Sequence, residues 1–132
     1  MVQSFVEHLN KYIFDKSSIN DINKLVKGRY TFIISDELCN QLSKFYQTKP
    51  QKSYRIDTLL DWLSRPICPI KSISISNLEL FENENIKSEY TNGYTLIKCE
   101  LTTIGDILIK EDVIFFIYEN QIAGIKIIVE CF

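Results

Sequence analysis

The sequence predicts an α+β domain spanning residues 1–132, with its helices first and a curved antiparallel β-sheet last. Apolar residues recur at three-and-four spacing as far as Leu63, and from Ile70 onward the period falls to two. The pairs Asn92-Gly93 and Gly105-Asp106 punctuate the second half and fold it into antiparallel neighbours.

Val2, Phe5, Val6, Leu9, Tyr12 and Ile13 form one stripe of a helix over residues 2–15. Ser18 opens a second helix with Asp21 at its capping-box position, Ile19, Ile22, Leu25 and Val26 as its buried stripe, and Gly28 as the left-handed residue that ends it. Residues 30–34 are aromatic and β-branched, hence a short strand or extended link. Ser35 then caps a helix that buries Leu38, Leu42 and Phe45 or Tyr46 and stops before Lys49-Pro50. Ser53 caps a further helix with Ile56, Leu59, Leu60 and Leu63 inward, ended by Arg65-Pro66.

In the first long strand Ile73 and Ile75 have one parity and Leu78 and Leu80 the other. One extra residue near Ser76-Asn77, a β-bulge, brings all four to the core side and bends the strand. Asn92-Gly93, between Tyr90 and Tyr94, reads as a two-residue hairpin turn. Ile97, Cys99 and Leu101 alternate with polar residues, as in a half-exposed strand. The last two strands, residues 107–118 and 122–131, flank Glu119-Asn120-Gln121. Val113, Phe115 and Ile117 point one way and Ile114, Phe116 and Tyr118 the other, so this strand is covered on both faces. The helices cover one. The other predicts a second copy of the chain, a homodimer through the sheet face, or else an N-terminal helix wrapped behind the sheet.

Composition excludes several classes. The N-terminus has no basic stretch followed by an apolar one, and no apolar run approaches the ~20 residues of a membrane helix, so a cytoplasmic protein without a membrane role is expected. Cys39, Cys68, Cys99 and Cys131 lie about thirty residues apart with no C-x-x-C pair, as reduced, buried thiols do. His8 is the one histidine, falls off the apolar stripe and is expected to face solvent; no metal or cofactor is expected. Residues 1–66 hold ten Lys/Arg against seven Asp/Glu and residues 67–132 five against ten, +3 against −5. The one mildly basic stretch, 44–55, has four cations around Pro50, too few for a nucleic-acid surface. Gly28, Gly93, Gly105 and Gly124 are too far apart to cradle phosphate.

The order of elements, together with the closing hairpin over residues 113–127 (an aromatic-rich strand, an acidic and Asn turn, then an Ile-rich return), resembles the NTF2-like superfamily. That resemblance implies helices packed on a curved sheet as a cone with a pocket, often dimeric. It covers isomerases, dehydratases, ligand carriers, transport adaptors and toxin-neutralising immunity proteins, so it leaves function to the site.

An isomerase or cyclase of the ketosteroid-isomerase or polyketide-cyclase type, acting on a hydrophobic small molecule, implies a carboxylate base and a tyrosine or protonated acid that stabilises an enolate. Asp36, after the 30–34 strand, and Tyr12, on the first helix, fit these parts. Equally, Asp36 is a favourable charge at a helix start and Tyr12 an amphipathic packing residue. The family pattern also places an acid on the inward face of the penultimate strand, where residues 113–117 offer none. Tyr12, Asp36, Tyr46 and Trp62 are the candidate lining of a pocket for a hydrophobic ligand, with Trp62 also readable as core. Glu79, Glu82, Glu84 and Glu89 form an acidic group suited to a basic protein partner such as a nuclease toxin, and are otherwise a solvated loop. The leading expectation is a non-catalytic binding protein, most concretely an immunity protein or other partner adaptor.

Overall fold

A computed structural model describes residues 1–81 and 93–128. Among the described residues four α-helices, α1 (Val2–Phe14), α2 (Ile19–Leu25), α3 (Glu37–Phe45) and α4 (Ile56–Ser64), pack on one curved sheet of six strands. The strands are β1 (Phe32–Ile34), β2 (Ser53–Arg55), β3 (Ile70–Leu80), β4 (Tyr94–Gly105), β5 (Lys110–Tyr118) and β6 (Gln121–Ile127), in spatial order β2-β1-β6-β5-β4-β3. The α+β class expected from the sequence is what the chain adopts. Pairing is antiparallel except where β1 runs parallel to β6, with Ile33 opposite Ile125.

α1 follows its apolar stripe, burying Val2, Phe5, Val6, Leu9 and Tyr12. Phe5 meets Phe115 edge-on at 6.0 Å between ring centroids. His8 is half-buried rather than solvent-facing, with Nδ1 enclosed and without a hydrogen-bond partner. Asn10 docks the helix onto edge strand β3: its Nδ2 donates to the Ile73 carbonyl and its Oδ1 accepts from the Ile73 N–H, both at 2.7 Å. One side-chain amide thus satisfies both backbone groups that Ile73 turns away from β4.

Three local expectations need correction. α2 ends at Leu25 with an extended Val26, which bridges to Ile122 instead of continuing the helix, so Gly28 (φ 63°) starts a short 3-10 turn and not a helix cap. Asp36, not Ser35, caps α3, its carboxylate accepting the Cys39 N–H at 2.6 Å. Ser53 does not cap α4 but lies in β2 opposite Ile34, and the helix begins after Arg55.

β3 carries the irregularity that its parity requires. Register shifts between Ser76 and Glu79, and Asn77 takes φ 57°, a left-handed conformation that Asn tolerates better than most residues. Leu78 and Leu80, however, lie beyond the start of α1 and stay 37% and 60% exposed. At the opposite end Gly105 turns the chain at φ 141°, where a Cβ would stand 2.3 Å from the Pro69 carbonyl oxygen. Glu119 and Asn120, at φ 50° and 63°, make the two-residue turn between β5 and β6. The Asn92 turn position and Cys131 lie outside the described residues; Cys39, Cys68 and Cys99 are buried and free.

β5 is buried on both faces, as its sequence requires. Val113 and Phe115 join the core under the helices, while Ile114 and Phe116 form a second cluster with Leu96 on the far face. Among the described residues Phe32, Phe81 and Ile128 pack on that second cluster, and the Phe32 ring lies where a Cβ on Gly124 would stand, 2.3 Å from its nearest carbon. Leu96, Ile114 and Phe116 are 4%, 0% and 0% exposed in the single chain. These three side chains are therefore covered without a second copy over the sheet face.

The Asn10 clamp is testable. Asn10→Ala removes two hydrogen bonds at a partly buried edge and should lower unfolding free energy by about 1–3 kcal/mol. A urea titration showing a loss under about 0.5 kcal/mol, the range of an ordinary surface substitution, would mean the clamp contributes little.

Candidate functional site

The groups with the most altered chemistry gather where α3 meets β5. The short β1 runs out at Ile34, Ser35 turns the chain at φ 25°, and Asp36 then stands at the start of α3, 4% exposed. Its carboxylate accepts the Cys39 N–H, as an N-cap should. Burial nevertheless outweighs that bond and pushes Asp36 up to about 6.

Glu111 reaches the same helix end from the sheet. It precedes Val113 by two residues and so shares the helix-facing side of β5. Its Oε2 accepts the Glu37 N–H at 2.9 Å, while its Oε1 is enclosed with no hydrogen-bond partner. Burial, and then the neighbouring Asp36 charge, push Glu111 up to about 7, against the opposing pull of the Glu37 and Leu38 N–H groups. Its sequence signal is the alternation of Val113 and Phe115 carried two residues back, a position the inward-acid expectation for residues 113–117 does not reach.

Beside this pair a cleft of about 550 Å³ separates Ser35, Glu37 and Asn40 from Glu111, Asp112 and Ile127. The arrangement can hold and exchange a proton near neutral pH. Among the described residues no three His, Cys, Asp or Glu side chains are placed to hold a metal ion.

The other candidates are distributed elsewhere. Tyr12 is 8% exposed in the α1 core stripe, and it does not line the cleft between α3 and β5. Tyr46 and Trp62 do come together, but as packing: their rings stack at 6.2 Å, Tyr54 meets Trp62 at 5.5 Å, and the Tyr46 hydroxyl donates to the Trp62 carbonyl at 3.0 Å. Arg65 lies 4.5 Å from the Tyr46 ring centroid, and burial pushes the Tyr46 hydroxyl up to about 12. Trp62 itself is 3% exposed.

Glu79 lies on β3 just past the bulge, 3.7 Å from Lys98 across the strand pair. It borders a groove of about 290 Å³ among Met1, Leu78, Leu80, Ile97 and Ile117. Glu82, Glu84 and Glu89 lie outside the described residues.

The raised acids fix the sign of a pH effect. A folded state that holds protons more tightly than the unfolded chain gains stability that is complete below the ordinary carboxylate values, 3.8 and 4.5, and is lost as pH rises through about 6 for Asp36 and about 7 for Glu111. For the buried Asp36 the effect is on the order of 2–3 kcal/mol. The urea midpoint should rise on going from about pH 8 to about pH 5.5, and Glu111→Gln should flatten that slope. A midpoint that falls over this interval would contradict the protonation state assigned to the pair. No family model matches the chain and no curated protein matches it, so the chemistry of this region is read from its own geometry.

Proposed function

We propose that the chain is a non-catalytic binding protein on an NTF2-like cone fold, acting in the cytoplasm on a protein partner, most concretely as the neutraliser of a basic toxin. The observation that carries this reading is the β3 edge, where Leu78 and Leu80 stay 37% and 60% exposed on either side of Glu79. Leu80 lies opposite Ile97 and Glu79 opposite Lys98, so the leucines and the carboxylate take opposite faces of the strand, and a partner that grips this edge can set a hydrophobic residue against the leucines and a basic one against Glu79. The ion pair of Glu79 with Lys98 is long and exposed, so the carboxylate can exchange partners at little cost.

The interior supports the same reading. Phe5, Leu42, Leu63 and Phe115 are at most 1% exposed, so the space between the helices and the sheet is occupied by the chain's own side chains. A hydrophobic ligand buried in the cone would have to displace them.

One observation favours the isomerase or cyclase alternative. Asp36 and Glu111 are two carboxyls of raised pKa beside the cleft between α3 and β5, and Glu111 supplies the inward acid on the penultimate strand that residues 113–117 lack. Tyr12 has no place in that version.

Purification of the tagged chain from its source under native conditions, followed by mass spectrometry, separates the readings. A stoichiometric basic protein retained by the wild type and lost from both Leu80→Glu and Glu79→Lys supports the partner reading. Its retention by both variants contradicts the β3 surface. A small carbonyl compound that is held by the wild type and released by Glu111→Gln would favour the catalytic alternative, and light scattering identifies a second copy as the partner.

A further inference from the structure

The cleft between α3 and β5 is spanned by a device that the binding reading of the function does not use. Its pivot is Ser35, whose φ of 25° places a residue other than glycine in the left-handed region. Its hydroxyl donates to the Lys52 carbonyl beside β2, so the pivot is anchored to the sheet edge. Directly after it, the first turn of α3 is tied down twice, through Asp36 to the Cys39 N–H and through Glu111 to the Glu37 N–H.

The second tie crosses from sheet to helix, and it is electrostatically awkward. Glu111 is faced by Asp36 from the β1–α3 link and by Glu37 and the Cys39 thiol from α3, while Asp112, next on β5, takes the opposite face; across the strand pair β4 presents Leu101. Among the described residues Glu111 has no ion pair with a lysine or arginine. Its Oε1, enclosed and unpartnered, tolerates an O–H far better than a full negative charge. Two carboxyls this confined hold one proton between them more readily than none.

We infer that Asp36 and Glu111 form a proton-operated clasp: one proton held by the pair keeps the first turn of α3 seated on β5, and its loss releases that turn about Ser35, widens the cleft and uncovers Cys39. Release is local, because Leu38 and Leu42 remain anchored in the core at 3% and 0% exposure. The cleft walls are the two elements that the clasp joins, Glu37 and Asn40 on one side and Asp112 and Ile127 on the other. A surface that changes shape with pH near neutrality follows.

Cys39 reports on the clasp because it is fully buried and bonded through its N–H to Asp36, while Cys68 and Cys99 are buried elsewhere and serve as internal references. The full chain is treated briefly with N-ethylmaleimide across about pH 5.5 to about pH 8.5, and labelling is resolved by peptide mass spectrometry. The rate at Cys39 relative to Cys68 and Cys99 should rise about tenfold or more with a midpoint near neutrality, and Glu111→Gln should hold that ratio flat. A flat ratio in the wild type overturns the inference without reference to any variant. So does a parallel rise at all three thiols, which marks global unfolding, or a folded Glu111→Gln protein with an unchanged profile. If Glu111→Gln does not fold, Asp36→Asn, which keeps an N-cap oxygen, takes its place with the same expected outcome.

Discussion

The structure depends on one strand having no solvent face. Val113, Ile114, Phe115 and Phe116 are consecutive and each 0% exposed, so β5 must lie between two apolar layers. The inner layer is the helical one, with Phe5 against Phe115; the outer layer draws Phe32 over Gly124 and onto Phe116, 6.0 Å between ring centroids. That second requirement explains why β1, far away in sequence, joins β6 as a parallel neighbour: its Phe32 goes to the outer cluster and its Ile33 to the inner core. Burying four such side chains, at roughly 1.5–3 kcal/mol each, makes this short segment a large contributor to stability.

The places available for function lie where that double cover ends. α1 begins at Val2, so the part of β3 beyond the bulge is left with Leu78 and Leu80 in view. At the other margin the core-facing side of β5 begins with Glu111, too near the sheet end for a full apolar layer and too enclosed for free solvation. The first margin offers shape and apolar area, suited to a partner. The second offers protons and a cleft.

Much of the frame was legible because it is local. The α1 stripe, the proline stops and the two-residue period each arise from neighbours within a few positions, and the β3 bulge followed from parity alone. Failures occurred where adjacent residues compete or where the deciding contact is remote. Ser35 and Asp36 are both good caps, and only the turn forced by anchoring Ser35 to the Lys52 carbonyl decides for Asp36. Ser53 reads as a cap until its partner Ile34 is known, and β2 has only three residues to announce itself. Asn10 looks like a polar neighbour of the stripe because its partner, Ile73, is 63 residues away. For the site, Asp36 stands out by its position, but Glu111, the acid whose pKa it raises, lies on a strand remote in sequence, and Tyr46 and Trp62 stack on each other with Trp62 buried and Tyr46 half-buried.

The most direct test of this account is hydrogen exchange at the β5 amides as a function of protein concentration. If the chain itself covers both faces, the amides of residues 113–116 should be among the slowest to exchange and their rates should not change on dilution. Rapid exchange in dilute solution, slowed only as concentration rises, would show that a second molecule supplies the cover and would contradict the two-layer account.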